Sequence, residues 1–247
     1  MLHTQVLNMT TFGIRIISDT VCPWCYVGYR RLTAAIEQHL VKCPDDIFSI
    51  SWHPFQLNPY APKFQSFDKV ESYESKLGQR QANVVFERLR SAGQDCGITF
   101  SFKGRTGNTL DSHRLIEYAG RLDAGHSRSE EGRDGMVPYR NLQTTLVEHL
   151  FSAYFEHEQD IADHAVLVAA AASVDMDEQR VRKLLAGDEL ADQVRDAANK
   201  NRSDGINGVP HFTINDEFFV EGAQEPAAFL MLFNRLKRRE ANGSSKM

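Results

Sequence analysis

Cys22-Pro23-Trp24-Cys25 places two cysteines with two residues between them. That spacing suits a redox-active dithiol, in which one sulfur attacks a disulfide and the other resolves the mixed disulfide. The context supports this chemistry. The apolar run Ile14-Arg15-Ile16-Ile17-Ser18 comes just before, and Tyr26, Val27, Tyr29, Leu32, Ala35, Ile36 and Leu40 recur behind it at helical spacing. The dithiol therefore falls where a strand feeds a helix. Unpaired N–H groups and the macrodipole favour a thiolate at such a helix N-terminus. Cys22 is then the expected nucleophile and Cys25 the resolving thiol.

Three plainer readings compete. A structural disulfide at this spacing is a strained staple. A zinc site needs a second pair of ligands, and Cys43 and Cys96 each stand alone. Chance is the third. A Cys-x-x-Cys beside a β-α-β pattern favours redox chemistry over all three.

Gly208-Val209-Pro210 precedes a later strand and offers a second half of the site. X-Pro bonds adopt cis cheaply, and proline lacks a backbone donor. A cis Pro210 facing the dithiol would leave the Val209 backbone free to pair with an extended substrate. The plainer alternative is an ordinary strand-entry proline. His211 either hydrogen-bonds near Cys22 and favours its thiolate or is an exposed strand-end histidine. Asp19, three residues before Cys22, could relay protons, but turn capping is the favoured reading.

Composition narrows the class. The chain has 247 residues, 42% of them hydrophobic, enough for one large domain or a core domain with a sizeable insertion. A net charge of −5 gives no sign of nucleic-acid binding. The basic cluster Arg235, Lys237, Arg238, Arg239 reads as complementing a helix C-terminus. No stretch is long and apolar enough for a membrane span, and the N-terminus does not read as a secretory signal. Four cysteines are too few for a disulfide scaffold, so a reducing, cytoplasmic setting fits best. His149, His157 and His164 share no metal-binding spacing, and no metal is expected.

The elements that would hold the dithiol follow from periodicity. Residues 1–12 read as a polar leader, 13–18 as a strand, 24–41 as the dithiol helix and 47–52 as a second strand. These make a β-α-β unit with parallel strands. From 63 to 194 the pattern is helical, with Val85/Phe86/Leu89, Leu115/Ile116/Ala119/Leu122 and Leu142 to Phe155 marking apolar faces. Asp175-Met176-Asp177-Glu178 resembles a capping box. Gly125 to Val137 reads as a mobile loop. Strand character returns at Val209–Ile214 and Phe218–Val220, joined by a polar turn. Glu225-Pro226 then opens a last helix. The strands at the two ends must form one sheet, because neither end covers its apolar faces alone.

Taken together, several segments resemble the DsbA-like thioredoxin superfamily, and within it the FrnE-like branch. They are Asp19 to Gly28, Trp52-His53-Pro54-Phe55-Gln56-Leu57-Asn58-Pro59, Asn108-Thr109-Leu110-Asp111-Ser112-His113-Arg114-Leu115, Gly208 to Phe212 and Glu221-Gly222-Ala223-Gln224. The resemblance implies an α/β thioredoxin fold with a large all-helical domain inserted between an N-terminal βαβ half and a C-terminal ββα half. The expected division is 13–62 with 195–240, and 63–194 for the insertion. Carried over by position, Cys22 attacks and Cys25 resolves. Pro210 is the cis proline, and Pro23 and Trp24 tune the potential and the surface shown to substrate. The resemblance also places His113 and Arg114 near the cleft, where a capping or buried hydrogen-bonding role is favoured over substrate contact.

Kappa-class glutathione transferases and 2-hydroxychromene-2-carboxylate isomerases are similar too, but they carry serine where this chain has Cys22. They also resemble a Ser-Asp pair where this chain has Ala223-Gln224. Asn58 and Val209 still match glutathione contacts. The leading expectation is thus a thiol–disulfide oxidoreductase acting on a protein or small-molecule substrate, with no tightly bound cofactor. Glutathione stands as a candidate redox partner or cosubstrate. The rival is a glutathione-dependent isomerase or transferase on a small aromatic or polyketide-like molecule, and a third reading is a binding module using the helical cleft. Apolar surface on the inserted helices would allow a homodimer.

Overall fold

A computed structural model describes residues 9–126 and 139–244. Residues 1–8 of the expected leader, and the Gly125–Val137 loop from residue 127 onward, lie outside the described residues. The first strand starts earlier than expected, so β1 is Thr11–Ser18 and takes in the end of that leader. It is followed by α1, Pro23–Lys42, and β2, Ile47–Pro54. β1 and β2 run parallel, in register from Thr11↔Ile47 to Ser18↔Pro54. Phe48, Ile50, Trp52 and Pro54 alternate inward along β2, as a half-buried strand requires.

The chain then passes through α2 (Lys69–Leu77), α3 (Gln79–Asp95), α4 (Leu110–His126), α5 (Leu142–Phe155), α6 (His164–Ala172), α7 (Glu178–Ala186) and α8 (Ala191–Ser203). The Asp177 carboxylate caps α7 by accepting from Arg180 N–H. The insertion is not all-helical. β3, Phe67–Asp68, pairs antiparallel with β4, Arg105–Thr106. A ladder this short shows no alternation, so sequence periodicity passes over it. α8 also runs across the 194/195 boundary expected from sequence.

β5 (His211–Ile214), β6 (Phe218–Glu221) and α9 (Pro226–Ser244) complete the fold. The sheet order is β2-β1-β5-β6, with β5 antiparallel to β1 and to β6. Residues from both chain ends thus form one sheet. The β5–β6 turn uses Asn215 and Asp216 at φ of 51° and 54°, a left-handed conformation these short polar residues tolerate. Asn215 Oδ1 also accepts from Gly13 N–H at 2.7 Å, which pins the hairpin to β1.

α9 packs on α1, while α4, α5 and α8 lie against β2. Fully buried Phe12, Ile14, Ile16, Leu32, Phe48, Phe212, Phe229 and Phe233 fill the core, each contributing roughly 1.5–3 kcal/mol by burial. The basic cluster of α9 does not complement a helix end, because the helix continues beyond it. Lys237 instead reaches Asp46, Arg239 pairs with Glu217, and the Arg235 guanidinium lies over the Phe218 ring.

Asp46 closes the end of the core remote in sequence from the dithiol. Its carboxylate accepts from His39 Nε2 at 2.7 Å, Lys237 Nζ at 2.6 Å and Thr10 N–H at 2.9 Å. Burial alone would raise its pKa, but these three donors outweigh burial and hold it below the ordinary carboxylate value. Asp46→Ala should cost about 3 kcal/mol, because it strands a buried histidine and an ammonium. A carboxyl with a depressed folded pKa stabilises above the unfolded value near 3.9 and loses that contribution as pH falls through the folded value. Urea unfolding should therefore show a large gap between variant and unmutated protein at neutral pH that closes in acid. A gap independent of pH would contradict this.

Candidate active site

The β1–α1 junction builds the site. Ser18 ends β1, and its carbonyl accepts from Phe55 N–H at 2.9 Å. The next residues turn, with Cys22 N–H donating to Asp19 O at 3.0 Å. Cys22 is the N-cap of α1, and Pro23 takes the first helical position, where its missing N–H costs nothing. Both cysteines are free thiols. They differ in setting, since Cys22 keeps 5% exposure and Cys25 none.

Burial pushes the Cys25 thiol well above its ordinary pKa, and the neighbouring Cys22 adds to this. Hydrogen bonds from the Ser18 hydroxyl and the Asp19 N–H pull the other way. The Cys22 thiol donates to Val209 O at 3.5 Å. The Val209–Pro210 peptide is cis. Gly28 allows α1 to lie this close to it: a Cβ there would stand 2.9 Å from Pro210 Cγ and 3.1 Å from the Phe212 ring.

An open cleft of about 600 Å³ lies beside the dithiol. Trp24, Val209, Ala223, Gln224, Arg31 and Arg88 line it. The Arg88 guanidinium sits over the Trp24 ring at 5.1 Å. Arg31 donates to Ala223 O at 2.7 Å and pairs with Glu225 at 2.6 Å. These contacts join the first turn of α1, the inserted helix α3 and the segment after β6 around one opening.

Behind the dithiol lies a buried polar layer. Asp19 Oδ2 accepts from Leu57 N–H at 2.7 Å, and His113 Nε2 donates to Asp19 Oδ1 at 3.2 Å and Phe55 O at 3.1 Å. Asp19 is therefore tied across the fold and does not cap a local turn. Thr20 Oγ1 and Ser112 Oγ are 2.8 Å apart in the same layer. α1 is fixed to α5 by Tyr26 OH to Glu156 at 2.8 Å and Tyr29 OH to Glu148 at 2.7 Å.

The structure thus brings Cys22, Pro23, Trp24, Cys25, Val209 and Pro210 together. It places the other candidates elsewhere. His113 is buried behind the dithiol and does not present itself to the cleft. Arg114 turns away, donating to Leu184 O, Gly187 O and Glu189 O and pairing with Asp111, which clamps α4 to the end of α7. Asn58 is exposed and its Oδ1 accepts from Tyr60 N–H in its own turn. His211 packs beside Phe219, and burial lowers its pKa. No bond from His211 to Cys22 is found among the described residues.

Two features escaped the sequence. Burial raises the Tyr73 phenol pKa, with a contribution from Cys22, and the Tyr73 ring on α2 packs edge-on against Phe86 of α3. Its helical spacing marks it only as a core aromatic. His39, Cys43 and Asp46 gather their donor atoms within 4.8 Å of one another, with a spacing that could have been read as metal-ligating. The Lys237 ammonium already neutralises Asp46 there.

Comparison with known proteins follows the same lines. The sequence pattern of the DSBA-like thioredoxin domain matches residues 13–132 and 135–233. The crystal structure of probable DsbA oxidoreductase SCO1869 from Streptomyces coelicolor is similar with a TM-score of 0.75 and 25% identity, covering 91% of this chain and 89% of that one. A 2-hydroxychromene-2-carboxylate isomerase structure is similar in fold, with a TM-score of 0.62, 12% identity and coverage of 93% and 98%. Cytosolic disulfide reductase DsbM from Pseudomonas aeruginosa with GSH also shares the fold, at a TM-score of 0.57, 14% identity and coverage of 92% and 99%.

Proposed function

Because this chain belongs to the family of DSBA-like thioredoxin domains, we propose that it is a thiol–disulfide oxidoreductase working through Cys22 and Cys25. The observation that carries this reading is the asymmetry of the two sulfurs. Cys22 caps α1 beside Val209 O at the cleft, while Cys25 is wholly enclosed one turn on. The unpaired N–H groups at the start of α1 lie on the Cys22 side, and the attacking form in such an exchange is the thiolate. That thiolate attacks a substrate disulfide, one substrate sulfur leaves as a thiolate, and a mixed disulfide remains. Cys25 then attacks Cys22, closing the internal disulfide and releasing the second substrate thiol. The reverse sequence oxidises a substrate dithiol.

Val209 supports substrate holding. Its carbonyl faces Cys22, so an extended polypeptide or thiol substrate crossing the cleft can pair with the backbone there. Trp24, stacked by Arg88, gives this opening an apolar floor with a cationic edge. We place the activity in the cytoplasm, as four free thiols suit a reducing compartment. No helix among the described residues is long and apolar enough to cross a membrane.

A second reading, a glutathione-dependent isomerase or transferase, is favoured by one observation, the width of the cleft beside Cys22. A tripeptide thiol fits such a volume, and the DsbM structure with GSH shares the fold. Against it, Arg31 is committed to Ala223 O and Glu225, and Ala223 offers no side-chain hydrogen bond. An equilibrium titration of the dithiol against glutathione buffers, read by mass after alkylation, separates the two. Reversible cycling between roughly −270 and −120 mV is expected for the oxidoreductase. A pair that stays reduced, or holds only a stable glutathione adduct on Cys22, would overturn that reading in favour of the second.

A further inference from the structure

α1 carries a cysteine at each end. Cys22 caps its start and Cys43 is its C-cap, roughly 30 Å away at about 1.5 Å per residue. Around Cys43 the helix end and the following turn set three different donors side by side. His39 lies in the last turn of α1, Cys43 ends the helix, and Asp46 comes just before β2. One ligand atom from each lies within 4.8 Å of the other two. The backbone fixes this arrangement, since Cys43 N–H donates to His39 O at 2.9 Å and Asp46 N–H donates to Cys43 O at 3.2 Å.

The two carboxylate oxygens of Asp46 point to different partners. Oδ1 accepts from Thr10 N–H at 2.9 Å and from Lys237 Nζ at 2.6 Å. Oδ2 meets His39 Nε2 at 2.7 Å. Oδ1 is thus held from outside the cluster and Oδ2 is turned into it, as in a ligating carboxylate that has an outer shell of its own. The His39 ring is fixed edge-on by Phe12 at 5.4 Å, Phe48 at 5.5 Å and Phe233 at 5.6 Å. His39 and Asp46 are buried and Cys43 is half-buried, so the cluster opens to solvent on the Cys43 side.

We propose that His39 Nε2, Cys43 Sγ and Asp46 Oδ2 form a binding site for a divalent ion of the zinc type, with water from the Cys43 side as fourth ligand. The donor set selects the ion. One imidazole, one thiolate and one carboxylate suit zinc, whereas calcium and magnesium take oxygen ligands. Ligand atoms of a tetrahedral zinc site stand roughly 3.3–3.6 Å apart at ordinary bond lengths. The separations here run from 2.7 Å to no more than 4.8 Å. The His39–Asp46 pair opens slightly and the Cys43 side chain closes in. On binding, the Cys43 thiol proton leaves to solvent and the imidazole offers a bare Nε2, with its proton on Nδ1. The thiolate and the carboxylate then balance the two charges of the ion.

Lys237 is the competitor. Its ammonium neutralises Asp46, and a second cation on the same carboxylate meets strong repulsion at this separation. The Lys237 side chain is 19% exposed and has a long flexible stem, so the ion can turn it out to solvent. Metal and lysine therefore exchange for one carboxylate. A purely structural salt bridge has no such behaviour.

The test uses the full chain carrying Cys22→Ser and Cys25→Ser. This removes the dithiol as a rival chelator and makes the result independent of the oxidoreductase reading. Cobalt(II) reports thiolate ligation through a sulfur-to-metal charge-transfer band, and zinc, which binds more tightly, competes it away. One ion per chain is expected. Adding Cys43→Ser should abolish the band and weaken zinc at least about 100-fold, the upper end for loss of even an outer-shell partner. Lys237→Gln should act in the opposite direction and tighten zinc about 10-fold or more, because the competing charge is gone. Cys96→Ser should change neither. Zinc should also raise the unfolding temperature of the parent but not of the Cys43→Ser protein. A parent that gives no cobalt band, or a folded Cys43→Ser protein that keeps it, would overturn the site. If Cys43→Ser does not fold, Lys237→Gln decides, and zinc bound no more tightly than by the parent sinks the proposal.

Discussion

Cys22→Ser should abolish disulfide turnover, lowering it by at least about 10³-fold, since losing the attacking group of a covalent catalyst costs that much or more. The substitution trades one sulfur for a smaller oxygen at a site that keeps slight exposure, and it disturbs the hydrogen bond to Val209 O. Thermal unfolding should therefore stay within a few degrees of the unmutated protein, which separates chemistry from folding. The measurement is reduction of a protein or peptide disulfide, followed by alkylation and mass. Turnover that survives in a folded Cys22→Ser protein would remove the proposed nucleophile. Activity that survives in the Cys22→Ser/Cys25→Ser double variant would point instead to a binding module that uses the helical cleft.

Cys25→Ser should have the opposite signature, with attack preserved and release lost. Effective molarities of well-placed intramolecular groups reach roughly 10⁵ M or more. Without Cys25, only external thiols at millimolar concentration can clear the mixed disulfide. The adduct on Cys22 should then live at least about 10³-fold longer and accumulate to one per chain. Because Cys25 is fully buried, the substitution places a hydroxyl in the core in place of the sulfur. Incubation with a disulfide substrate, blocking of free thiols and mass analysis would show the trapped species. Failure to trap any adduct in a folded variant would remove Cys25 from the resolving role. Trapping of glutathione in preference to peptide would narrow the substrate class to small thiols.

Much of this site was legible as sequence because its chemistry is local. A Cys-x-x-Cys ahead of a helical apolar pattern has one simple arrangement, with the first sulfur at the cap and the second one turn inside. The strands at both ends could be joined into one sheet on burial grounds alone, and β1 does pair with both β2 and β5. Glu225-Pro226 and the Asn215-Asp216 turn likewise carry their own backbone preferences, which no distant contact had to supply.

The rest depended on packing between segments far apart in the chain. His113 looked like a helix-start residue near a cleft, yet it meets Asp19 across 94 positions and stands behind the dithiol. Lys237 looked like a helix-end charge and instead neutralises Asp46 across 191 positions. The β3–β4 pair was too short to leave any pattern at all. Periodicity records which face of an element is apolar, because burial acts on each residue separately. It carries no record of which buried polar groups meet, because those pairs form only when the elements dock and each desolvated donor must find an acceptor. The sequence by itself therefore determined the dithiol, its helix and the sheet that carries them. The tertiary structure decided which groups surround and enclose that dithiol.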